Sequence, residues 1–150
     1  NQYDHTINVP LVMAGPGIPA GQRFAAQCYL RDLYPTVCEL TGVIPPPSVQ
    51  GQSLVPVLRG QKTEVRDAIF GYFTDTQRMM RSADGWKLIW YPKIEKVQLF
   101  NVVSDPDEIR DLADDAGQAE LLERMKKRLG EWQREHHDPV PPLRLALRRP

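Results

Sequence analysis

The 150-residue sequence has no excess of either charge and no long apolar run. Lysine and arginine together number 19, as do aspartate and glutamate, so the chain lacks the basic field that binds phosphate backbones. No apolar stretch approaches the roughly 20 residues that a bilayer-spanning helix needs. We therefore expect neither nucleic acid as a partner nor a membrane span.

Cysteine is also scarce. The only two, Cys28 and Cys38, lie in no CxxC pair and have no nearby histidine that would suggest a metal site. Their apolar neighbours favour buried free thiols, although an oxidising compartment would allow a disulfide between them. Two cysteines in a chain of this size do not identify the compartment.

Two common catalytic motifs are missing from the sequence. It contains neither a G-x-S-x-G nucleophile elbow nor a G-x-x-x-x-G-K-[ST] phosphate loop. The glycine-rich stretch GPGIPAG at residues 15–21 includes prolines, which remove backbone N–H donors that a phosphate would need. We expect a structural turn there.

The first 60 residues look like one end of a parallel α/β sheet. The apolar run from Val9 to Ala14 predicts a strand buried on both faces, and a helix is predicted from Asp32, as N-cap, to a stop at Gly42. No second parallel strand follows the helix. We therefore expect residues 1–60 to be the C-terminal end of a larger α/β core whose other strands precede Asn1, and the opening without Met suggests an excised piece.

Residues 61–135 predict a small α+β subdomain. Four short runs rich in aromatic and branched residues, AIFGYF, RMMRS, WKLIWYP and VQLFNVV, read as antiparallel strands, with a hairpin signal at Ala83–Gly85. A helix over about residues 116–135 carries one apolar stripe that would cover one face of this sheet. The expected packing positions are Trp86, Leu88, Trp90, Leu99 and Phe100 in the sheet and Leu121, Leu122, Met125, Leu129 and Trp132 in the helix.

The last 15 residues, 136–150, contain four prolines and too little periodicity to predict regular structure. The predicted fold class is therefore α/β, with a terminal strand and helix of a large parallel sheet followed by a small antiparallel sheet and a packed C-terminal helix. Only a short turn of helix is expected between these parts, within Ser53–Leu58.

Three short clusters carry residue types used in metal binding or proton transfer: Asp4–His5, Asp114–Asp115 and His136–Asp138. Acids ahead of a helix usually favour the positive end of its dipole, and histidines near a helix C-terminus are ordinary. Neighbours on a strand point to opposite faces, which disfavours Asp4–His5 as a pair. We expect all three clusters to be structural.

The densest group of polar side chains beside aromatics lies around one predicted hairpin and comprises Tyr72, Thr74, Asp75, Gln77 and Arg78. Arginine offers a planar fork to sulfate, phosphate or carboxylate, so this hairpin would suit the rim of a cleft that faces an anionic substrate. A solvated hairpin end is the competing interpretation. We take Tyr72, Thr74, Gln77 and Arg78 as the candidate substrate-cleft rim.

Six motifs occur in an order that resembles the C-terminal part of sulfatases of the alkaline phosphatase superfamily. They are INVPLVMAGPGI, DLYPTVCELTGV, VQGQSLVPVLRG, ADGWKLIWY, VQLFNVVSDPDE and DLAD, and the resemblance runs from about Tyr3 to Trp132. Each motif alone is weak, whereas six in order with compatible spacing are specific. The resemblance implies periplasmic, secreted or lysosomal proteins by family habit.

The resemblance further implies a hydrolase that cleaves sulfate esters or sulfamates. Such enzymes use a formylglycine made from Cys or Ser in a C/S-x-P-x-R motif, beside a calcium or magnesium ion held by oxygen ligands. Cys28 and Cys38 are not followed by that motif. We therefore expect the nucleophile, the metal ligands and a sulfate-contacting lysine upstream of Asn1, no catalytic or metal-ligating residue in this chain, and no activity of the chain alone.

Three functions follow as hypotheses. The first is the C-terminal region of a sulfatase, partnered by the N-terminal catalytic portion of the same enzyme and acting on a sulfated small molecule or glycan. The second is the same region of a phosphodiesterase or phosphonate hydrolase of the superfamily. The third is a free-standing module that binds anionic glycans through Arg78, Arg81 and Lys87. Exposed sheet edges in residues 1–60 also predict a homodimer of the isolated chain.

Overall fold

The computed structural model describes residues 1–143, and these form two compact units. One unit is Pro10–Ile69, and the other combines Asn1–Val9 with the chain from Phe70 onward. Residues 1–9 thus belong with the antiparallel sheet, whereas the sequence analysis assigned them to the α/β core. Within the described residues the α-helices are α1 (Asp4–Ile7), α2 (Leu33–Thr41), α3 (Val55–Leu58) and α4 (Ala119–Glu135).

The predicted strand at Val9–Ala14 is not formed within residues 1–143. Residues 8–14 have no regular secondary structure, and Val9 and Val12 are 73% and 89% exposed rather than buried. A strand exists only when its backbone pairs with a neighbour, and no described residue pairs with this segment; Pro10 also lacks the N–H that a ladder needs. An apolar run predicts burial, but it does not identify the partner.

The unit Pro10–Ile69 is built around α2 and α3. Helix α2 confirms the predicted helix, because a 3₁₀ turn over Leu30–Asp32 leads into Leu33 and the helix ends at Gly42. Gly42 adopts a left-handed conformation with φ 74°, which glycine allows without a steric penalty. Helix α3 confirms the short turn of helix expected in Ser53–Leu58.

The four predicted strands are present and form one sheet in the order β1-β2-β3-β4, which confirms the small antiparallel sheet. Their bounds are β1 (Ala68–Phe73), β2 (Gln77–Ser82), β3 (Trp86–Tyr91) and β4 (Lys96–Asn101). The register places Met80 opposite Leu88 and Leu88 opposite Leu99, so these three side chains share one face. The hairpin signal at Ala83–Gly85 is confirmed as the β2–β3 turn.

Both faces of the sheet are covered within this unit. Helix α4 packs against β2 and β3 with Leu122, Met125 and Leu129 buried, as the apolar stripe predicted. On the opposite face a core of four buried side chains packs against α1 and its flanks; it comprises Met79, Ile89, Phe100 and Val102, with Tyr3, Ile7 and Tyr91 against it. Of the five expected sheet positions, all but Trp86, which is half-buried, are buried.

Residues 136–143, the described part of the predicted tail, form no helix or strand but pack against the end of α4. Gln133 at the end of α4 donates from Nε2 to the Val140 carbonyl at 3.3 Å and accepts at Oε1 from the Leu143 N–H at 3.2 Å. Val140 is buried. Residues 144–150 of the predicted tail lie outside the described residues.

Candidate functional site

The three clusters with metal-binding residue types form no metal site within residues 1–143. Among residues 1–143, no group of three or more His, Cys, Asp and Glu side chains is close enough to hold a metal ion. Asp115 accepts from the Gly117 N–H at 2.8 Å and so caps the turn that leads into α4. The imidazole of His136 stacks on Trp132 with ring centroids 4.8 Å apart.

Asp4 is part of a buried ionic cluster on the face of the sheet that α1 covers, and it is not paired with His5. The Lys87 ammonium, which is fully buried, lies 2.8 Å from Asp4 Oδ1 and 2.7 Å from Glu108 Oε1. Arg81 Nη1 contacts Asp4 Oδ2 at 2.9 Å. These ion pairs hold α1 and the loop at Glu108 against β2 and β3, on the face of the sheet opposite α4.

This cluster contradicts the hypothesis of a free-standing glycan-binding module. That hypothesis needed Arg78, Arg81 and Lys87 to face solvent, and they instead face carboxylates of the same chain. Lys87 is 0% exposed, so it cannot reach a ligand without unfolding of the sheet. A buried cation that is already paired with two carboxylates does not attract a further anion.

The four candidate rim residues lie at the hairpin that joins β1 and β2, and the structure gives them different environments. Tyr72 is 68% exposed at the end of β1. Thr74 lies in the turn with a positive φ of 48°, which is unusual for a residue other than glycine. Gln77 is buried at the start of β2, and its Oε1 accepts no hydrogen bond.

Arg78, the fourth candidate, does not present its guanidinium to solvent. Its Nε lies 2.5 Å from Asp138 Oδ2 and its Nη2 lies 2.7 Å from Asp138 Oδ1, which is a two-point ion pair. Its Nη1 donates to the carbonyls of Thr74 at 2.7 Å and Gln77 at 2.8 Å. The predicted anion-binding fork is therefore used inside the unit, and Arg78 supports the hairpin instead of lining a rim.

The pKa of Asp138 agrees with its role as the counter-ion of Arg78. Burial raises the pKa of the Asp138 carboxyl, but hydrogen bonds from Arg78, the Val140 N–H and Gln133 outweigh burial and hold the pKa below its usual value. The carboxylate is therefore ionised at neutral pH. The sequence analysis missed Asp138 because it was weighed only as part of a histidine cluster, while its partner lies 60 residues away.

A second buried carboxylate organises the unit Pro10–Ile69. Asp32, which is fully buried, forms a two-point ion pair with Arg66, at 2.5 Å to Nη1 and 2.8 Å to Nη2. It also accepts from the backbone N–H groups of Tyr29 at 2.6 Å and Gln52 at 2.8 Å. The sequence predicted Asp32 as an N-cap of α2; it has that position, but its side chain makes no cap bond to the helix.

The surroundings of Asp32 also set the chemistry of Cys28. The Tyr29 ring lies between two guanidinium groups, with Arg31 at 4.4 Å and Arg66 at 4.7 Å from its centroid. Burial and the negative charge of Asp32 raise the pKa of the Cys28 thiol, although Arg66 lowers it. Both cysteines are free, and Cys38 is buried. Cys28 is half-buried, and its raised pKa disfavours the thiolate that acts as a nucleophile or metal ligand.

Comparison with known proteins identifies the family of the chain. The family described as N-sulphoglucosamine sulphohydrolase, C-terminal, matches residues 1–135. Arylsulfatase K of Xenopus laevis is 31% identical over 144 residues, which cover 86% of this chain and 26% of that protein. Delta 4,5-hexuronate-2-O-sulfatase of Bacteroides thetaiotaomicron is 31% identical over 131 residues, which cover 80% of this chain and 27% of that protein.

A solved structure leads to the same conclusion. The structure of a 2-O GAG sulfatase superposes with a TM-score of 0.66 at 26% sequence identity, covering 83% of this chain and 29% of that one. The chain thus spans about a quarter of the length of the curated relatives that it matches. This chain belongs to the N-sulphoglucosamine sulphohydrolase C-terminal family and is similar to the C-terminal part of sulfatases.

Proposed function

We propose that this chain is the C-terminal region of an enzyme that releases sulfate from a sulfated glycan, and that the β1–β2 hairpin borders its substrate cleft. The observation that carries the first part is the family match over residues 1–135. Two sulfatases that this chain resembles have names or titles that specify a 2-O-sulfated hexuronate or a glycosaminoglycan, which supports a sulfated sugar as the substrate class.

The residues described do not fit the cofactors that sulfatases generally use. These enzymes employ formylglycine and a divalent metal ion. Neither Cys28, followed by Tyr29-Leu30-Arg31, nor Cys38, followed by Glu39-Leu40-Thr41, lies in the motif that formylglycine requires, and residues 1–143 hold no metal-binding cluster. We propose that the nucleophile and the metal ligands belong to an N-terminal catalytic portion of a longer polypeptide, here called the parent enzyme.

The exposed apolar side chains of the unit Pro10–Ile69 suit such an arrangement. Val12, Ile44 and Leu30 are 89%, 91% and 84% exposed. Exposed apolar residues of this size favour burial against another protein surface. We propose the catalytic portion of the parent enzyme as that surface.

The proposed rim is defined by the exposed ring of Tyr72 and the turn beside it. The central carbon of the Arg78 guanidinium lies 5.6 Å from the centroid of the Tyr72 ring. Tyr72 is nevertheless 68% exposed. An amphipathic aromatic side chain of this kind offers an apolar face to the C–H groups of a sugar ring and a hydroxyl to its oxygens.

Replacement of Tyr72 by Ala in the parent enzyme tests this proposal. We expect KM for a 2-O-sulfated disaccharide to rise about fivefold, since the lost aromatic contact is worth about one kcal/mol, while hydrolysis of a small aryl sulfate is unchanged. Tyr34, 54% exposed in the other unit, gives the matched control Tyr34→Ala, which should alter neither substrate. An unchanged KM for the disaccharide in Tyr72→Ala would contradict the proposed rim.

A further inference from the structure

The tail after α4 is connected to the β1–β2 hairpin through two side chains. The chain leaves α4 at Glu135, and His137 takes a left-handed conformation with φ 51° that reverses its direction. The Asp138 N–H then donates to the Gln133 carbonyl at 2.9 Å. Asp138 is thereby held next to Arg78.

The carboxylate of Asp138 is fully hydrogen-bonded in its ion pair with Arg78. The carboxylate accepts from two nitrogens of Arg78, from the Val140 N–H at 3.0 Å and from Gln133 Nε2 at 3.2 Å. The side chains of Arg78 and Asp138 are only 3% and 7% exposed. Water is largely excluded, so the geometry of the pair is fixed by the protein and is not screened by salt.

The remaining donors of Arg78 determine the conformation of the turn. Nη1 bonds the carbonyls of Thr74 and Gln77, which lie on either side of Asp75 and Thr76. Thr74 has φ 48°, a conformation that a residue with a Cβ adopts only when its surroundings enforce it. The Thr76 N–H closes the turn on the Phe73 carbonyl at 3.1 Å. The guanidinium of Arg78 thus fixes the backbone of the turn by hydrogen bonds to the carbonyls at both of its ends.

We propose that Asp138 is a positioning residue for the substrate: through Arg78 it holds the turn at residues 73–76, and with it Tyr72, in the conformation that contacts the sulfated sugar. This inference rests on the proposed function of the hairpin. Asp138 itself touches no substrate. Without the charge of Asp138, the guanidinium of Arg78 becomes a buried cation with no counter-charge. In Asp138→Asn one of its two acceptor oxygens is also replaced by an NH2 donor, and we expect the guanidinium to turn away from the carbonyls of Thr74 and Gln77.

The test is Asp138→Asn in the parent enzyme, with Asp138→Glu as the conservative variant. Asp114, an exposed acid in the turn before α4, gives the matched control Asp114→Asn. Amide hydrogen exchange is measured on peptides that contain residues 73–77. Steady-state kinetics are measured on a 2-O-sulfated disaccharide and on a small aryl sulfate, and circular dichroism checks that each variant is folded.

We expect Asp138→Asn to raise the exchange rate of residues 73–77 about tenfold and to raise KM for the disaccharide about tenfold, since charged hydrogen bonds are lost. The value of kcat and the aryl sulfate kinetics should stay within about twofold, because the reacting atoms are not touched. Asp138→Glu should restore part of both losses. Asp114→Asn should match the wild type in every measurement.

The inference would be overturned by unchanged exchange at residues 73–77 in folded Asp138→Asn, or by faster exchange with an unchanged KM for the disaccharide. A uniform fall in kcat on both substrates would also overturn it, since that pattern indicates general damage. Failure of the proposed function is distinguishable, because a wild-type enzyme that hydrolyses no sulfate ester would refute the function, and the exchange measurement would then decide alone whether Asp138 holds the turn.

Discussion

Replacing Asp32 by Asn is expected to destabilise the unit Pro10–Ile69 by about 3–5 kcal/mol, the usual cost of removing one partner from a buried ion pair. The variant keeps the shape of the side chain but leaves the Arg66 guanidinium, only 9% exposed, without a counter-charge. It also weakens the bonds to the Tyr29 and Gln52 N–H groups, which hold two loops against the start of α2.

Labelling of Cys38 measures this unit selectively, because its thiol is buried in α2 and reacts only on unfolding. We expect the urea midpoint for Cys38 labelling to fall sharply in Asp32→Asn. Glu39→Gln, an exposed acid in the same helix, is the matched control and should change stability by less than about 0.5 kcal/mol. Equal midpoints for the two variants would contradict the assigned role of Asp32.

The same pair predicts a dependence on pH with a definite sign. Burial raises the pKa of the Asp32 carboxyl, but bonds from Arg66, Gln52 and Tyr29 outweigh burial and leave the pKa below its usual value. A carboxyl with a lowered folded pKa contributes stability that is complete above the unfolded pKa of about 3.9 and is lost as pH falls through the folded value. Below about pH 4 the wild type should therefore lose stability more steeply than Asp32→Asn.

Lys87→Met is expected to destabilise the sheet unit by about 3–5 kcal/mol, again because charged partners stay buried after one is removed. The fully buried ammonium contacts both Asp4 and Glu108, and without it these two carboxylates lose the cation that they share, while Arg81 still pairs with Asp4. Trp86, Trp90 and Trp132 all belong to this unit, so tryptophan fluorescence during urea unfolding reports its stability.

Two further variants make the Lys87 result specific. Lys93→Met removes a lysine from an ion pair with Asp75 in which both side chains are 61% exposed, and it should leave the midpoint nearly unchanged. Combining Lys87→Met with Asp4→Asn and Glu108→Gln removes the stranded charges and should recover much of the loss. A Lys87→Met midpoint equal to that of Lys93→Met would show that the cluster does not secure α1.

The regular elements of the sheet unit could be predicted because their patterns are local. The four aromatic and branched runs became β1 to β4, and the apolar stripe of α4 faced the sheet. Helix α1 could not be predicted in this way, since its four residues span little more than one turn and show no period. The segment Val9–Ala14 has a clear apolar pattern but forms no strand in the structure. Strand formation depends on a pairing partner, which the pattern does not identify.

The candidate rim stays a prediction from the sequence, and the surroundings of its residues could not be predicted in this way. Tyr72 and Arg78 were identified from the mixture of polar and aromatic residues, yet Arg78 faces inward because its counter-ion, Asp138, lies in a proline-rich tail that has no periodic signal. Asp32 was assigned from its place before a helix, whereas its main partner, Arg66, lies 34 residues further on. Ion pairs between distant residues leave no local pattern, so only the folded structure shows them.

The measurement that most directly tests the account is sulfate release by the parent enzyme and by the isolated 150-residue chain, assayed side by side by ion chromatography. The substrates are a 2-O-sulfated disaccharide and an aryl sulfate, with an aryl phosphonate for comparison and calcium present throughout. We predict that the parent enzyme releases sulfate and prefers sulfate esters to the phosphonate, while the isolated chain releases none. Turnover by the isolated chain, or a parent enzyme that hydrolyses the phosphonate and no sulfate ester, would contradict the account.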